Sequence, residues 1–115
     1  MKPAPPVTIY GDGEQSRDFT FVSNVVDATV RAADAPGASG SILNVAAGSP
    51  ATVNELTDLI GAIVGREPER RYAPPRAGDV RESWADVTAA RETLGYEPGV
   101  ELEEGLRRTA EALLG

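Results

Sequence analysis

Residues 52–65, TVNELTDLIGAIVG, constrain the fold of this chain more tightly than any other stretch. Thr52 and Glu55 have the spacing of a capping box, in which the threonine hydroxyl accepts a hydrogen bond from the third helical N–H and the acid reaches back toward the cap. Val53, Leu56, Leu59, Ile60, Ile63 and Val64 then repeat at helical spacing. Gly65 supplies the left-handed residue that ends such a helix without Cβ strain.

The segments on either side predict shorter elements. Residues 1–6, MKPAPP, are a proline-rich lead-in that cannot hold a central strand, and the folded domain is expected over 7–115. Residues 7–10, VTIY, are β-branched and aromatic and predict a strand. A turn with Gly11 and Gly13 follows, and residues 17–22, RDFTFV, predict a second strand with Phe19 and Phe21 on one face. The two strands are joined as a hairpin or by a crossing connection. Ser23 is expected to cap a helix over residues 24–34, with Val26, Val30 and Ala33 along one face.

Residues 41–46, SILNVA, are a mostly apolar run of strand length, and 68–73 predict an edge strand closed by Pro74 and Pro75. Asp86 is expected to cap a short helix that Gly95 stops. A last helix over 102–114 presents Leu102, Leu106, Ala110 and Leu113 at spacings of three and four. The fold class is therefore α/β, a small mixed domain of about four helices and three or four short strands.

Composition excludes several functions. A length of 115 residues is one domain's worth. The net charge of −7 argues against a nucleic-acid partner, whose phosphates demand a basic face, but it leaves room for a local cationic pocket. Cysteine and histidine are absent, so disulfides, thiolate nucleophiles, Cys/His zinc sites and histidine triads are excluded. No run approaches the ~18 apolar residues of a membrane span, and no signal peptide is visible. The expected location is the cytoplasm.

The strings IYGDGEQSRDFTFVSNVVDA, ILNVAAG, TVNELTDLI, PPRAGDVRESWADVTAARETLGYEP and LEEGLRRTAEAL, in this order, resemble the extended short-chain dehydrogenase/reductase family. The similar proteins are NAD-dependent sugar-nucleotide epimerases and dehydratases of the UDP-glucose 4-epimerase kind. The likeness runs over nearly the whole chain and implies the substrate-binding C-terminal part of such an enzyme, with the Rossmann half absent. The family's glycine-rich turn between strand and helix is not found. Nor is its catalytic tyrosine followed four residues later by lysine, because the only lysine is Lys2. The resemblance thus implies no catalytic residue and no cofactor bound by this chain, NAD being expected for the complete parent enzyme.

By the same resemblance, Arg17 and Arg76 meet the diphosphate of a nucleotide-diphosphate sugar, UDP- or dTDP-linked. A guanidinium suits that task because it delivers two parallel charge-assisted hydrogen bonds. The bland alternatives are a strand-end arginine paired with Asp18 and a solvated loop charge. Asp79 is implied to hold ribose hydroxyls or to orient an arginine. Asn44 is implied to reach the phosphate region, or else is a structural amide tying two loops. Tyr10 is implied to border the base, although a tyrosine at a strand end is commonly core. Gln15 is a weaker candidate, and Trp84 reads as a packing anchor. Arg70, Arg71, Arg107 and Arg108 read as solvated surface.

The leading expectation is a nucleotide-sugar recognition unit that is inactive alone. The rival is a non-catalytic interaction module that self-associates as a homo-oligomer or joins a Rossmann-containing chain, through the helix at 24–34 and the strand at 41–46.

Overall fold

A computed structural model describes residues 5–114. The elements run β1 (Val7–Tyr10), β2 (Ser16–Arg17), α1 (Val22–Asp34), β3 (Ala51–Thr52), α2 (Val53–Val64), β4 (Arg70–Ala73), β5 (Glu82–Ser83), α3 (Thr88–Leu94) and α4 (Leu102–Leu114). The predicted α/β class holds, with its four helices, and the short strands form two sheets. Residues 1–4 of the proline-rich lead-in expected over 1–6 lie outside the described residues.

The threonine half of the expected capping box forms. Thr52 accepts from the Glu55 N–H at 3.0 Å, and Gly65 closes α2 at φ 76°. The cap expected at Asp86 is displaced by one residue: Val87 is the N-cap of α3 and brings no side-chain bond. Asp86, just before it, accepts from the Thr88 N–H at 2.9 Å, and Gly95 stops α3 in the left-handed region as expected.

Pairing differs from the hairpin alternative. β1 pairs in parallel with β4, Ile9 opposite Tyr72 and Tyr10 opposite Ala73, while β2 pairs antiparallel with β3 and parallel with β5. The expected strand over 17–22 stops after Arg17. The cause is Asp18, whose carboxylate accepts from the N–H groups of Ala47 and Gly48 at 2.9 and 2.8 Å and so turns the chain out of the sheet. Residues 41–46 join no ladder among the described residues, which corrects the strand expected there.

The expected cap of α1 is also corrected. The helix begins at Val22 without any side-chain cap, leaving Ser23 inside its first turn. Asn24 is drawn inward instead, where its carboxamide makes a pair of hydrogen bonds with the backbone of Val100. The buried face of α1 consequently carries Asn24 and Ala28, and Val26 and Val30 face outward.

The core is small: Ala28, Ala46, Val87, Ala90, Leu94 and Tyr96, with the Tyr96 hydroxyl donating to the Ala46 carbonyl at 2.8 Å. α2 packs on α4, and α1 on α3. Trp84 is 60% exposed and anchors no core, contrary to expectation, and Leu113 is exposed at the end of α4. The molecule is a plate, 53 × 36 × 16 Å, with a radius of gyration of 16.9 Å. A self-contained domain of this length has a radius near ~13 Å. Its accessible surface, 7796 Å², likewise exceeds the ~6000 Å² usual for this mass.

Candidate functional site

The parallel pairing of β1 with β4 brings the ends of both strands, and the loops that leave them, to one edge. Tyr10 closes β1, and the loop after β4 rises through Pro74 and Pro75 to Arg76. Gly78 turns at φ 78°, and the Asp79 N–H donates to the Arg76 carbonyl at 3.2 Å. This turn lays the Arg76 guanidinium 4.2 Å over the Tyr10 ring.

Arg17 approaches from β2. Its Nη1 donates to the Ser16 carbonyl at 2.6 Å and its Nη2 to the Asp79 carboxylate at 2.7 Å. The alternative pairing of Arg17 with Asp18 does not occur, because Asp18 serves the 47–48 backbone. A guanidinium carries five N–H donors, so Arg17 keeps three after these two bonds. Gln15 ties the inner wall by donating to the Tyr10 carbonyl at 2.9 Å.

Two adjoining hollows, about 680 and 410 Å³, share Tyr10, Gln15, Arg76 and Asp79. The smaller also takes in Arg17, and the larger extends to Asp12, Tyr72 and Arg81. Arg17, Arg76 and Arg81 against Asp12 and Asp79 leave these walls at +1, within a chain of net charge −7. The Arg81 guanidinium bonded to Asp12 holds that carboxyl below its ordinary range, so both members of the pair are charged at neutral pH. Low-dielectric walls with this local excess of positive charge concentrate anions.

Four of the five expected site residues, Tyr10, Arg17, Arg76 and Asp79, thus meet around one opening. Asn44 does not: it is exposed on the 41–46 segment and lines neither hollow. That segment lacks the sheet which would have fixed its direction. Arg107 and Arg108 pair with Glu103 and Glu104 on the outer face of α4, as expected of surface groups. Arg70 departs from expectation, being largely covered and paired with Asp58. Tyr72, Asp12 and Arg81 went unseen in the sequence, since only the pairing of β4 beside β1 places them here. Among the described residues, no group of three or more acidic side chains is arranged to hold a metal ion.

The arrangement can grip a polyanion and offers a cation–aromatic pair beside it. A family model for GDP-mannose 4,6 dehydratase matches residues 2–109. The chain belongs to that family. This member of the GDP-mannose 4,6 dehydratase family is 46% identical over 103 residues to a UDP-glucose 4-epimerase of Mycolicibacterium smegmatis, covering 90% of this chain and 33% of the relative. It is 33% identical over 105 residues to a UDP-glucuronate 4-epimerase of Thermodesulfobacterium geofontis, covering 90% of this chain and 32% of that one.

Among solved structures, the UDP-glucose 4-epimerase of Thermotoga maritima with UDP-glucose superposes with a TM-score of 0.88 at 44% identity, over 94% of this chain and 34% of that one. The UDP-glucuronic acid 4-epimerase of Bacillus cereus, in complex with UDP-glucuronic acid and NAD, gives 0.85 at 28% identity, over 94% and 36%. The chain therefore spans about a third of the length of the relatives it matches. The resemblance to the C-terminal part of extended short-chain dehydrogenases is borne out at the level of family and fold. No helix among the described residues is long and apolar enough to cross a membrane.

Proposed function

We propose that this chain is the nucleotide-diphosphate-sugar-binding portion of an NAD-dependent 4-epimerase acting on UDP-linked sugars in the cytoplasm. The observation that carries the reading is the convergence of Arg17 and Arg76 on one opening, with Asp79 between them and the Tyr10 ring beside them. The UDP-sugars held by the Thermotoga and Bacillus relatives supply the ligand class. The two guanidinium groups grip the diphosphate, Asp79 orients Arg17, and Tyr10 borders the base. Binding energy from these remote groups holds the hexose in place for a reaction elsewhere.

NAD, in this reading, binds outside these residues. Neither close pair of positive-φ glycines suits a dinucleotide: Gly11 and Gly13 lead into β2, and Gly37 and Gly40 follow α1. Neither pair opens a helix, whose free N–H groups would receive a pyrophosphate. In this reading the hydride transfer and its acid/base pair also lie outside these residues, and this portion alone is inactive.

Isothermal calorimetry with UDP-glucose tests the reading. Arg17→Ala and Arg76→Ala should each weaken binding by about tenfold or more, since each removes charge-assisted hydrogen bonds. Folded protein that takes up no UDP-glucose, or variants that bind as well as the wild type, would sink it.

One further observation favours association. Val22, Val25, Val26 and Val30 of α1 are exposed, and Ile42, on the 41–46 segment that follows α1, is 97% exposed. An apolar stripe of this kind on a plate with excess surface calls for a cover. In this reading the cover is a Rossmann half, and a second copy is the alternative. Sedimentation across a concentration series separates the two, self-association marking the second.

A further inference from the structure

Asn54 stands in the first turn of α2, yet its side chain serves the 11–15 loop. Nδ2 donates to the Asp12 carbonyl at 3.0 Å and to the Glu14 carboxylate at 2.6 Å. Oδ1 accepts from the Tyr72 hydroxyl at 2.8 Å, and the Asn54 backbone N–H donates to the Gly13 carbonyl at 2.9 Å. A carbonyl can only accept, so the Asp12 contact fixes which end of the carboxamide is nitrogen. Gly13, at φ 77°, lies so close that any Cβ there would run into this carboxamide. The helix itself does not need the group, because Thr52 supplies the cap and alanine is the better helix former.

What these bonds position is the wall of the larger hollow. Gly11, Asp12 and Tyr72 line it, Asp12 receives Arg81, and Gln15 holds the Tyr10 carbonyl. Arg17 and Arg76 make none of the hydrogen bonds at Asn54. We propose that Asn54, held by the Tyr72 hydroxyl, is a positioning residue that sets the nucleoside side of the hollow, leaving the diphosphate side to the two arginines. This rests on the nucleotide-sugar reading above and adds to it a division of labour between two walls.

Titrations followed by amide NMR, which reads weak binding, separate the walls. The full chain is titrated with UDP and, separately, with inorganic pyrophosphate. Asn54→Ala should weaken UDP about five- to tenfold and leave pyrophosphate within about twofold, with a melting curve near the wild type's. Tyr72→Phe, which keeps the ring, should weaken UDP about two- to fourfold, and the double variant should bind no worse than Asn54→Ala alone. Arg17→Ala should weaken both ligands. Unchanged UDP binding in Asn54→Ala, or equal losses for both ligands as general damage produces, overturns the proposal. If Arg17→Ala changes neither ligand while Asn54→Ala remains selective, the arginine clamp fails and the Asn54 role survives. A wild-type chain that binds neither ligand overturns both.

Discussion

Arg17 and Asp79, 62 residues apart in sequence, meet in an ion pair of 2.7 Å with both side chains about a third exposed. A pair this open contributes below about 1 kcal/mol to stability, because water and salt screen it. Its consequence lies in geometry, since Asp79 and the Ser16 carbonyl together fix the plane of the guanidinium. Asp79→Ala should therefore shift chemical denaturation by less than about 1 kcal/mol and still weaken UDP-glucose about three- to tenfold. Calorimetry and a urea melt on one sample check both halves.

The Arg76 guanidinium stands 4.2 Å over the Tyr10 ring. Lysine would keep the charge and lose the planar fork and its stacking. Arg76→Lys should bind UDP-glucose several-fold more weakly than the wild type, and calorimetry that finds equal affinity would reduce Arg76 to a point charge.

Gly105 is buried in α4, where an added Cβ would stand 2.9 Å from the Phe21 Cβ. Gly→Ala inside a helix usually gains about 1 kcal/mol. Here overpacking, at about 1–3 kcal/mol, wins. Gly105→Ala should destabilise the chain in urea, the reverse of the propensity rule.

Asn24, 2% exposed, bonds both the Val100 carbonyl and the Val100 N–H. Removing its carboxamide orphans two backbone groups, so Asn24→Ala should lose about 2–4 kcal/mol in a denaturant melt. With so small a core, that loss is a large part of the total.

Tyr96 is fully buried, and burial, with the charges of Asp18 and Asp27, raises its phenol above the ordinary value of 10.0. Above pH 10 the unfolded chain releases this proton and the folded chain keeps it, so unfolding is favoured as pH rises. The stabilisation is whole below that value and is lost as pH climbs through the raised one. Denaturation at pH 8 to 11 should show a steeper decline for the wild type than for Tyr96→Phe, whose stability is lower at pH 8 through the lost bond to Ala46.

Legibility followed locality. The cap at Thr52, the stops at Gly65 and Gly95, and the span of α4 depend on neighbours within one helical turn, and all were readable. The candidate arginines were readable too, through the family likeness. Residues 17–22 and 41–46 were misread, because a strand exists only with a partner, and Asp18 capping Ala47 and Gly48 is a contact across 29 and 30 residues that no period announces.

By itself, the sequence determined where α2 begins and where α2 and α3 end, and excluded thiol, imidazole and metal-thiolate chemistry by composition. Only the tertiary structure decided that β4 runs beside β1, that Arg17 takes Asp79 rather than Asp18, and that Asn54 reaches Tyr72. Helical hydrogen bonds close within four residues, and residue identity alone can specify them. Strand pairing and side-chain networks join distant parts of the chain, and their geometry exists only once the whole has folded.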